Sequence, residues 1–385
     1  MPISASDLPA QPNPTAAYIH VPFCHRRCPY CNFTVVADRA DWMKRFLEAV
    51  TGELSGLKSS QSVNTIFVGG GTPTLLPPDL LRRLLETIST WLPIKSSDSE
   101  WSIEANPNNV SNELCKLLRE CGVNRISLGG QSFNDSKLRT LGRDHRGEQL
   151  QQAIRIASQW FDEVSVDLIF GVPGESTDDW RTDLRTAVEL PITHVSTYGL
   201  TYEKGAHYWS QLQRGDIVAV SEEAELDMYM TAIEQLCEAG FEHYEVSNFS
   251  LPGSSCKHNE NYWNGEPWYA FGPGAASFVD GVRRVNHRST GTYLKRMEAG
   301  DSPVAEEEVL DWATWTRERF VFGMRKLSGV DWALMASVGK AETIQMIQNQ
   351  ITQHVSEGWL EWCDGHIRMT SRALPVSDGL WKDYL

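Results

Sequence analysis

The sequence predicts an α/β protein: an open, curved (β/α)6 partial barrel followed by a small winged-helix-like α+β unit. Three observations carry that expectation. Short β-branched runs at 17–21, 65–68, 102–105, 125–128, 164–170 and 194–198 alternate with longer amphipathic stretches at 41–57, 78–91, 111–121, 148–160, 178–190 and 222–239. This cadence is the mark of right-handed βαβ units around a parallel sheet. Six units are too few to close the eight-stranded barrel, which leaves an open one. The third observation is a change of character towards the C-terminus. Residues 306–326 read as one long helix, Gly329 breaks it, Asp331 caps a second helix, and 341–356 form a third. The runs 359–363 and 366–370 then flank Asp364-Gly365, a two-residue hairpin signal. The expected division is a flexible tail over 1–17, the barrel over 18–300 and the C-terminal unit over 301–385.

In such a barrel, functional residues gather at the C-terminal ends of the strands. Six sequence features fall there. Directly after the first strand comes Cys24-His-Arg-Arg-Cys28-Pro-Tyr-Cys31. Three cysteines on one loop can each ligate a different iron of a cubane, leaving one iron without a protein ligand and open for chemistry. A zinc site would ask for a fourth Cys or His at ligand spacing, and buried structural thiols are the third alternative. Gly69-Gly-Gly-Thr-Pro73 follows the second strand, where glycines let backbone approach a ligand. Taken alone it reads as an ordinary tight turn. Glu104 ends the third strand, a carboxylate suited to ribose hydroxyls; Gln131 ends the fourth. Arg143 can pair with a ligand carboxylate in bidentate fashion, and Asp167 faces inward from the fifth strand. Each of these taken singly is equally a surface or capping residue. Their recurrence in register with successive strands favours a site.

Composition narrows the class. The 385 residues hold 35 Lys and Arg against 50 Asp and Glu, a net charge of −15 that disfavours nucleic acid and leaves at most peripheral membrane contact. Residues 1–17 contain four prolines, one Asp and no Lys or Arg, unlike a signal or transit peptide. No apolar run approaches the roughly 18 residues that span a bilayer. A cytoplasmic location is expected, as a reducing compartment suits an iron–sulfur site. Cys115, Cys121, Cys237, Cys256 and Cys363 lack mutual ligand spacing and read as free thiols.

The cysteine spacing resembles the signature of the radical S-adenosylmethionine (SAM) superfamily. Further stretches narrow the likeness to its oxygen-independent coproporphyrinogen III oxidase-like family. They are Tyr18-Ile-His-Val-Pro-Phe-Cys24, Gly69–Pro73, Arg125-Ile-Ser-Leu-Gly-Gly-Gln-Ser-Phe133, Asp167-Leu-Ile-Phe-Gly-Val-Pro-Gly174, His194-Val-Ser-Thr-Tyr198 and Tyr244-Glu-Val-Ser-Asn-Phe249. The resemblance runs from Tyr18 to about Asn286, with a weaker C-terminal part. It implies a 4Fe-4S cluster ligated by Cys24, Cys28 and Cys31, with Tyr30 packed beside it. It also implies SAM contacts from Tyr18, Gly71, Thr72, Pro73, Glu104, Gln131, Arg143 and Asp167.

Two branches of this family differ in function. One comprises dehydrogenases that decarboxylate two propionates of coproporphyrinogen III by radical chemistry. The other comprises haem chaperones of the HemW type, which bind haem and pass it to apo-haemoproteins of respiration. Three features favour the chaperone. The dehydrogenases carry another cysteine where this chain has Phe33, and they have a longer segment ahead of the cluster loop than the 17 residues preceding Tyr18. His258-Asn-Glu-Asn-Tyr262-Trp263 matches the His-Asn-x-x-Tyr-Trp motif of the chaperone branch. Imidazole and phenolate are both haem-iron ligands, and flat aromatic rings suit a porphyrin face. Cys256 is an alternative ligand, and a structural His beside an aromatic pair in a strand-to-loop transition is the plain reading. The expected partners are haem and its recipients, with a homodimer also allowed. No catalytic residue is assigned, since the chain is not expected to be an active dehydrogenase. Coproporphyrinogen III dehydrogenase is the alternative function.

Overall fold

In a computed structural model, described over residues 12–385, six parallel strands run side by side in chain order: β1 (Ala16–Val21), β2 (Thr65–Gly70), β3 (Glu100–Ala105), β4 (Arg125–Gln131), β5 (Glu163–Phe170) and β6 (His194–Gly199). The helices between them, α1 (Met43–Ser55), α2 (Pro78–Trp91), α3 (Asn112–Glu120), α4 (Asp135–Thr140), α5 (Gly147–Ala157) and α6 (Thr177–Val188), cover the outer face. Alternation decides which side each residue takes. On β5, Val164, Val166, Leu168 and Phe170 are buried in the helix-facing core, while Ser165 and Asp167 turn into the lumen. The equivalent register places Ser102 and Glu104 beside Arg125 and Ser127. Polar residues thus line the interior of the barrel, and their apolar neighbours pack outside it.

Two extensions complete a twelve-stranded sheet among the described residues. After α7 (His207–Arg214) and α8 (Glu222–Glu238), β7 (Glu242–Glu245) and β8 (Asn248–Ser250) form a hairpin whose second strand pairs antiparallel to β6. A short helix, α9 (Lys257–Trp263), leads to β9 (Trp268–Phe271), which pairs parallel to β1 on the opposite edge. A meander of β10 (Ala276–Val279), β11 (Val282–Asn286) and β12 (Val304–Val309) continues outward, with α10 (Thr290–Ala299) between the last two.

The C-terminal part departs from expectation in one place. Residues 306–326 are not a single helix: β12 occupies the first of them, and α11 spans Trp312–Gly323. Glu306-Glu307-Glu308 offers a helix no apolar face, but as an edge strand it meets arginines on β11. Arg283 pairs with Glu308 at 3.0 Å and Arg284 with Glu307 at 2.8 Å. The helix starts where Asp311 accepts the Thr314 amide at 2.7 Å. The sheet therefore runs past residue 300, and the expected division falls inside it. At the other end, β1 begins at Ala16, and residues 1–11 of the expected tail lie outside the described residues.

Beyond α11, α12 (Trp332–Val338), α13 (Ala341–Ser356) and α14 (Ser377–Trp381) pack with a three-stranded sheet around a separate apolar cluster that includes Phe320, Ile347, Ile351 and Trp381. That sheet has β15 (His366–Met369) between β13 (Val330–Asp331) and β14 (Leu360–Cys363). Asp364 and Gly365 both take positive φ, 47° and 81°, the two-residue turn that matches strand twist. Asp331 accepts the Leu334 amide at 3.0 Å and caps α12. Asp331→Ala is expected to cost about 1 kcal/mol, read as a lower denaturation midpoint.

Candidate cluster and cofactor site at the mouth of the barrel

The chain leaves β1 and turns back over the C-terminal ends of the strands. Phe23–Cys24 makes a short parallel bridge with Val36–Ala37, and the Cys31 amide donates to the Cys28 carbonyl at 3.1 Å, tightening the loop. The glycine run meets it closely. Gly71 N donates to the Val21 carbonyl at 2.8 Å and Thr72 N to that of Phe23 at 2.7 Å. A Cβ on Gly71 would stand 2.6 Å from the Phe23 carbonyl oxygen, so only glycine admits this approach.

Cys24, Cys28 and Cys31 are free thiols, each half-buried, on the wall of one cavity of about 160 Å³. Thr72 Oγ1 lies 3.9 Å from Cys24 Sγ, and Arg143 Nη1 lies 3.6 Å from Cys28 Sγ. Burial pushes the Cys24 thiol up to about 11 and raises Cys31, so filling the site must release protons. Among the described residues, no three His, Cys, Asp or Glu converge on a point that one ion could occupy. Three thiols on one wall, with no fourth cysteine among its residues, are the donor set that suits a cubane with one iron left without a protein ligand. Arg143 supports the fit from another side. Nη2 donates to the Gly129 carbonyl at 2.6 Å, while its buried Nε has no partner, leaving one donor unused beside the cavity.

The remaining wall comes from successive strand ends. Gln131 closes β4 at φ 68°, a left-handed conformation costly for a side-chain-bearing residue. Glu104 accepts the Gly70 amide at 2.8 Å, and Asp167 accepts Ser127 Oγ at 3.2 Å. Burial, then the neighbouring Asp167, raises Glu104 to about 8; burial raises Asp167 to about 6 despite its hydrogen bonds to Ser196 and Ser127.

These shifts set a direction for pH dependence. Glu104 stays neutral in the empty folded chain but ionises near 4.5 when unfolded. Its contribution to stability is present below that value and is lost as pH rises through about 8. Glu104→Gln is expected to raise the melting temperature of the cofactor-free chain at pH 8 relative to wild type, with little difference at pH 4. Thermal melts across that range check it.

Of the nine residues expected around SAM and the cluster, Tyr30, Gly71, Thr72, Glu104, Gln131, Arg143 and Asp167 line the cavity. Tyr18 and Pro73 do not. Tyr18 lies deeper, its hydroxyl on His20 Nδ1 at 3.0 Å and its ring on Phe67, and Pro73 starts a buried turn. The wall also includes His25, Arg26, Arg27, Asn106 and Asp144, which sequence reasoning passed over. Asn106 had a signal, two positions after Glu104 at the same strand end. The arginines, between two cysteines, had one as well.

The His258 motif is not at this mouth. It forms α9 and closes the opposite end of the barrel, where the strands begin, rather than a strand-to-loop transition. Glu100, the first residue of β3, accepts the amides of Lys257 at 3.0 Å and His258 at 3.3 Å and the Cys256 thiol at 3.4 Å. The first amides of a helix have no partner within it, and here the carboxylate supplies the missing acceptor. His258 is buried, Nδ1 on Thr65 Oγ1 at 2.9 Å, Nε2 on Tyr262 Oη at 3.0 Å, and its ring stacks on Phe67. Burial lowers its pKa to about 3. Tyr262 meets Trp268 edge-on at 4.8 Å, and Arg325 lies 4.5 Å over the Trp263 ring. Both imidazole nitrogens are thus engaged, and Cys256 is buried, its thiol pushed up by burial.

The Radical SAM superfamily matches this chain over residues 18–187. The heme chaperone HemW of Lactococcus lactis subsp. lactis is 33% identical over 97% of this chain and 97% of its own length. The heme chaperone HemW of Synechocystis sp. is 35% identical, over 91% and 87% respectively. The chain belongs to the HemW family. The fold is also that of the coproporphyrinogen III oxidase HemN of Escherichia coli, a radical SAM enzyme. The two superpose with a TM-score of 0.85 at 19% identity, over 97% of this chain and 90% of that one. HemW membership makes this a radical SAM protein, and that superfamily implies a 4Fe-4S cluster and SAM. Among the described residues no helix is long and apolar enough to cross a membrane.

Proposed function

We propose that the chain is a haem chaperone of the cytoplasm, one that binds haem and delivers it to apo-haemoproteins of respiration. The observation that carries this reading is similarity to proteins named heme chaperone along nearly the whole chain, C-terminal part included. Phe33, standing where the dehydrogenases have a further cysteine, points the same way.

Cys24, Cys28 and Cys31 would hold the 4Fe-4S cluster, with Gly71, Thr72, Glu104, Gln131, Arg143 and Asp167 around SAM. Bound together, cluster and SAM would supply a one-electron centre. The chain's own contribution is placement. Glu104 and Asp167 offer acceptors to hydroxyls, the unused Arg143 Nε–H offers a donor, and Tyr30 screens the Cys28 side from water. At the other end, His258, Tyr262 and Trp263 form the proposed haem region. In the conformation described, haem ligation by His258 requires exchange of its bond to Thr65 or Tyr262.

The deciding experiment supplies cluster-reconstituted protein anaerobically with SAM, a reductant and coproporphyrinogen III, with products read by mass spectrometry. The expected result is no loss of carboxyl groups from protein whose cluster spectrum is intact. Two carboxyl groups lost per substrate over many turnovers would replace the chaperone by the dehydrogenase. Haem titration of wild type against His258→Ala then tests the motif, with at least about tenfold weaker binding expected if the imidazole ligates iron, in keeping with the cost of losing one strong polar contact.

A further inference from the structure

Gln131 is the one side-chain-bearing residue of the cavity wall, among the described residues, whose backbone is left-handed, at φ 68°. Strand pairing does not impose that turn, because the ladder between β4 and β5 shifts register between Leu128 and Gln131. Strained backbone persists where its surroundings over-determine it, and here the surroundings lie on α6. Asp183 Oδ2 accepts Ser132 Oγ at 2.6 Å and Oδ1 accepts the Phe133 amide at 2.7 Å, so one carboxylate clasps the two residues that follow Gln131. Ser132 Oγ in turn accepts the Asn134 amide at 2.9 Å, and on the near side of the turn His145 Nε2 donates to the Gly130 carbonyl at 2.9 Å. Behind the clasp, Lys137 of α4 donates to Asp183 at 3.0 Å and also to Glu175. Glu175 Oε2 accepts the Val172 amide at 2.9 Å, beyond the end of β5. All three charged side chains are at most 4% exposed. A buried ion network adds little net stability over an apolar filling of the same space, so its presence asks for another reason.

We infer that Asp183 is a positioning residue: by clasping Ser132 and Phe133 it sets the left-handed turn that presents the Gln131 side chain to SAM. Lys137 holds the clasp in place from α4. Two carboxylates share that lysine and are buried alike, yet only Asp183 touches the segment after Gln131, while Glu175 serves the exit of β5. Removing either acid leaves Lys137 with one carboxylate, so neither change strands a charge. Their effects on the ligand should therefore part company. This inference rests on the reading of Gln131 as a SAM contact and is independent of where haem binds.

The test is calorimetric titration of the full, cluster-reconstituted chain with SAM, the cluster kept oxidised so that SAM stays intact, with melting temperatures alongside. Asp183→Ala is expected to bind SAM about tenfold more weakly, the scale of one lost polar contact. Glu175→Gln, at comparable burial, should bind SAM as wild type does, whatever its melting temperature. Gln131→Ala should weaken binding to a similar degree as Asp183→Ala. Adding Asp183→Ala to it should cost nothing more, since the clasp then has no side chain to present. If Asp183→Ala does not assemble a cluster, Ser132→Ala leaves the ion network whole, should weaken binding severalfold, and enters the same cycle with Gln131→Ala. Equal losses in Asp183→Ala and Glu175→Gln, or losses that add in the double variant, would make the network a purely structural one and overturn the proposal. Wild-type affinity in Asp183→Ala or Ser132→Ala overturns it directly. Wild-type affinity in Gln131→Ala overturns the SAM contact and this inference with it, which tells the two failures apart.

Discussion

Arg125→Ala should destabilise the chain by about 3–5 kcal/mol, the scale for removing one partner from a buried ion pair. Arg125 is 3% exposed. Nη1 lies 3.4 Å from Glu163 and 3.8 Å from Glu100, and donates to the Ser254 carbonyl at 3.0 Å. Without the guanidinium, two carboxylates face one another at the closed end of the barrel, and Glu100 must still receive the first amides of α9. The loss therefore spreads to the helix carrying His258. Denaturant midpoints measure it. Adding Glu100→Gln and Glu163→Gln to Arg125→Met should recover much of the deficit, because the penalty comes from unpaired charge more than from missing volume. A deficit unchanged by neutralisation would show that packing dominates.

Replacing Cys24, Cys28 and Cys31 by Ala should abolish the visible absorbance of the reconstituted cluster and bring bound iron to background, while the melting temperature of the metal-free chain barely moves. The thiols are half-exposed, burial raises those of Cys24 and Cys31 when the site is empty, and none of the three belongs to the apolar core. Their removal costs little packing but takes away three metal ligands. Single replacements should behave nearly alike, since two remaining thiolates leave a second iron uncovered. Haem titration of the triple variant then separates the ends of the barrel. Unchanged affinity places haem uptake apart from the cluster. Lost affinity couples the two.

The thiols, the glycine run and the carboxylates were legible in the chain because their geometry is local. Three cysteines within eight positions must share a loop, and strand alternation turns Glu104 and Asp167 inward once the strands are found. The hairpin at Asp364-Gly365 is local in the same sense. Where reading failed, the deciding partner was distant. Glu306–Glu308 became a strand because arginines on β11 were waiting for it.

The largest difference concerns α9. Its sequence marks His258, Tyr262 and Trp263 as a unit, yet nothing in it tells that the unit closes the barrel. Thr65 meets His258 across 193 positions, and Glu100 meets the helix start across 157 or more. The sequence by itself determined the barrel class, the cluster loop and most of the cavity wall, since period and spacing act over a few residues. Only the tertiary structure decided that the cluster loop and His258 occupy opposite ends of the barrel. Contacts of that kind depend on which strand ends the fold brings together, and no local period encodes them.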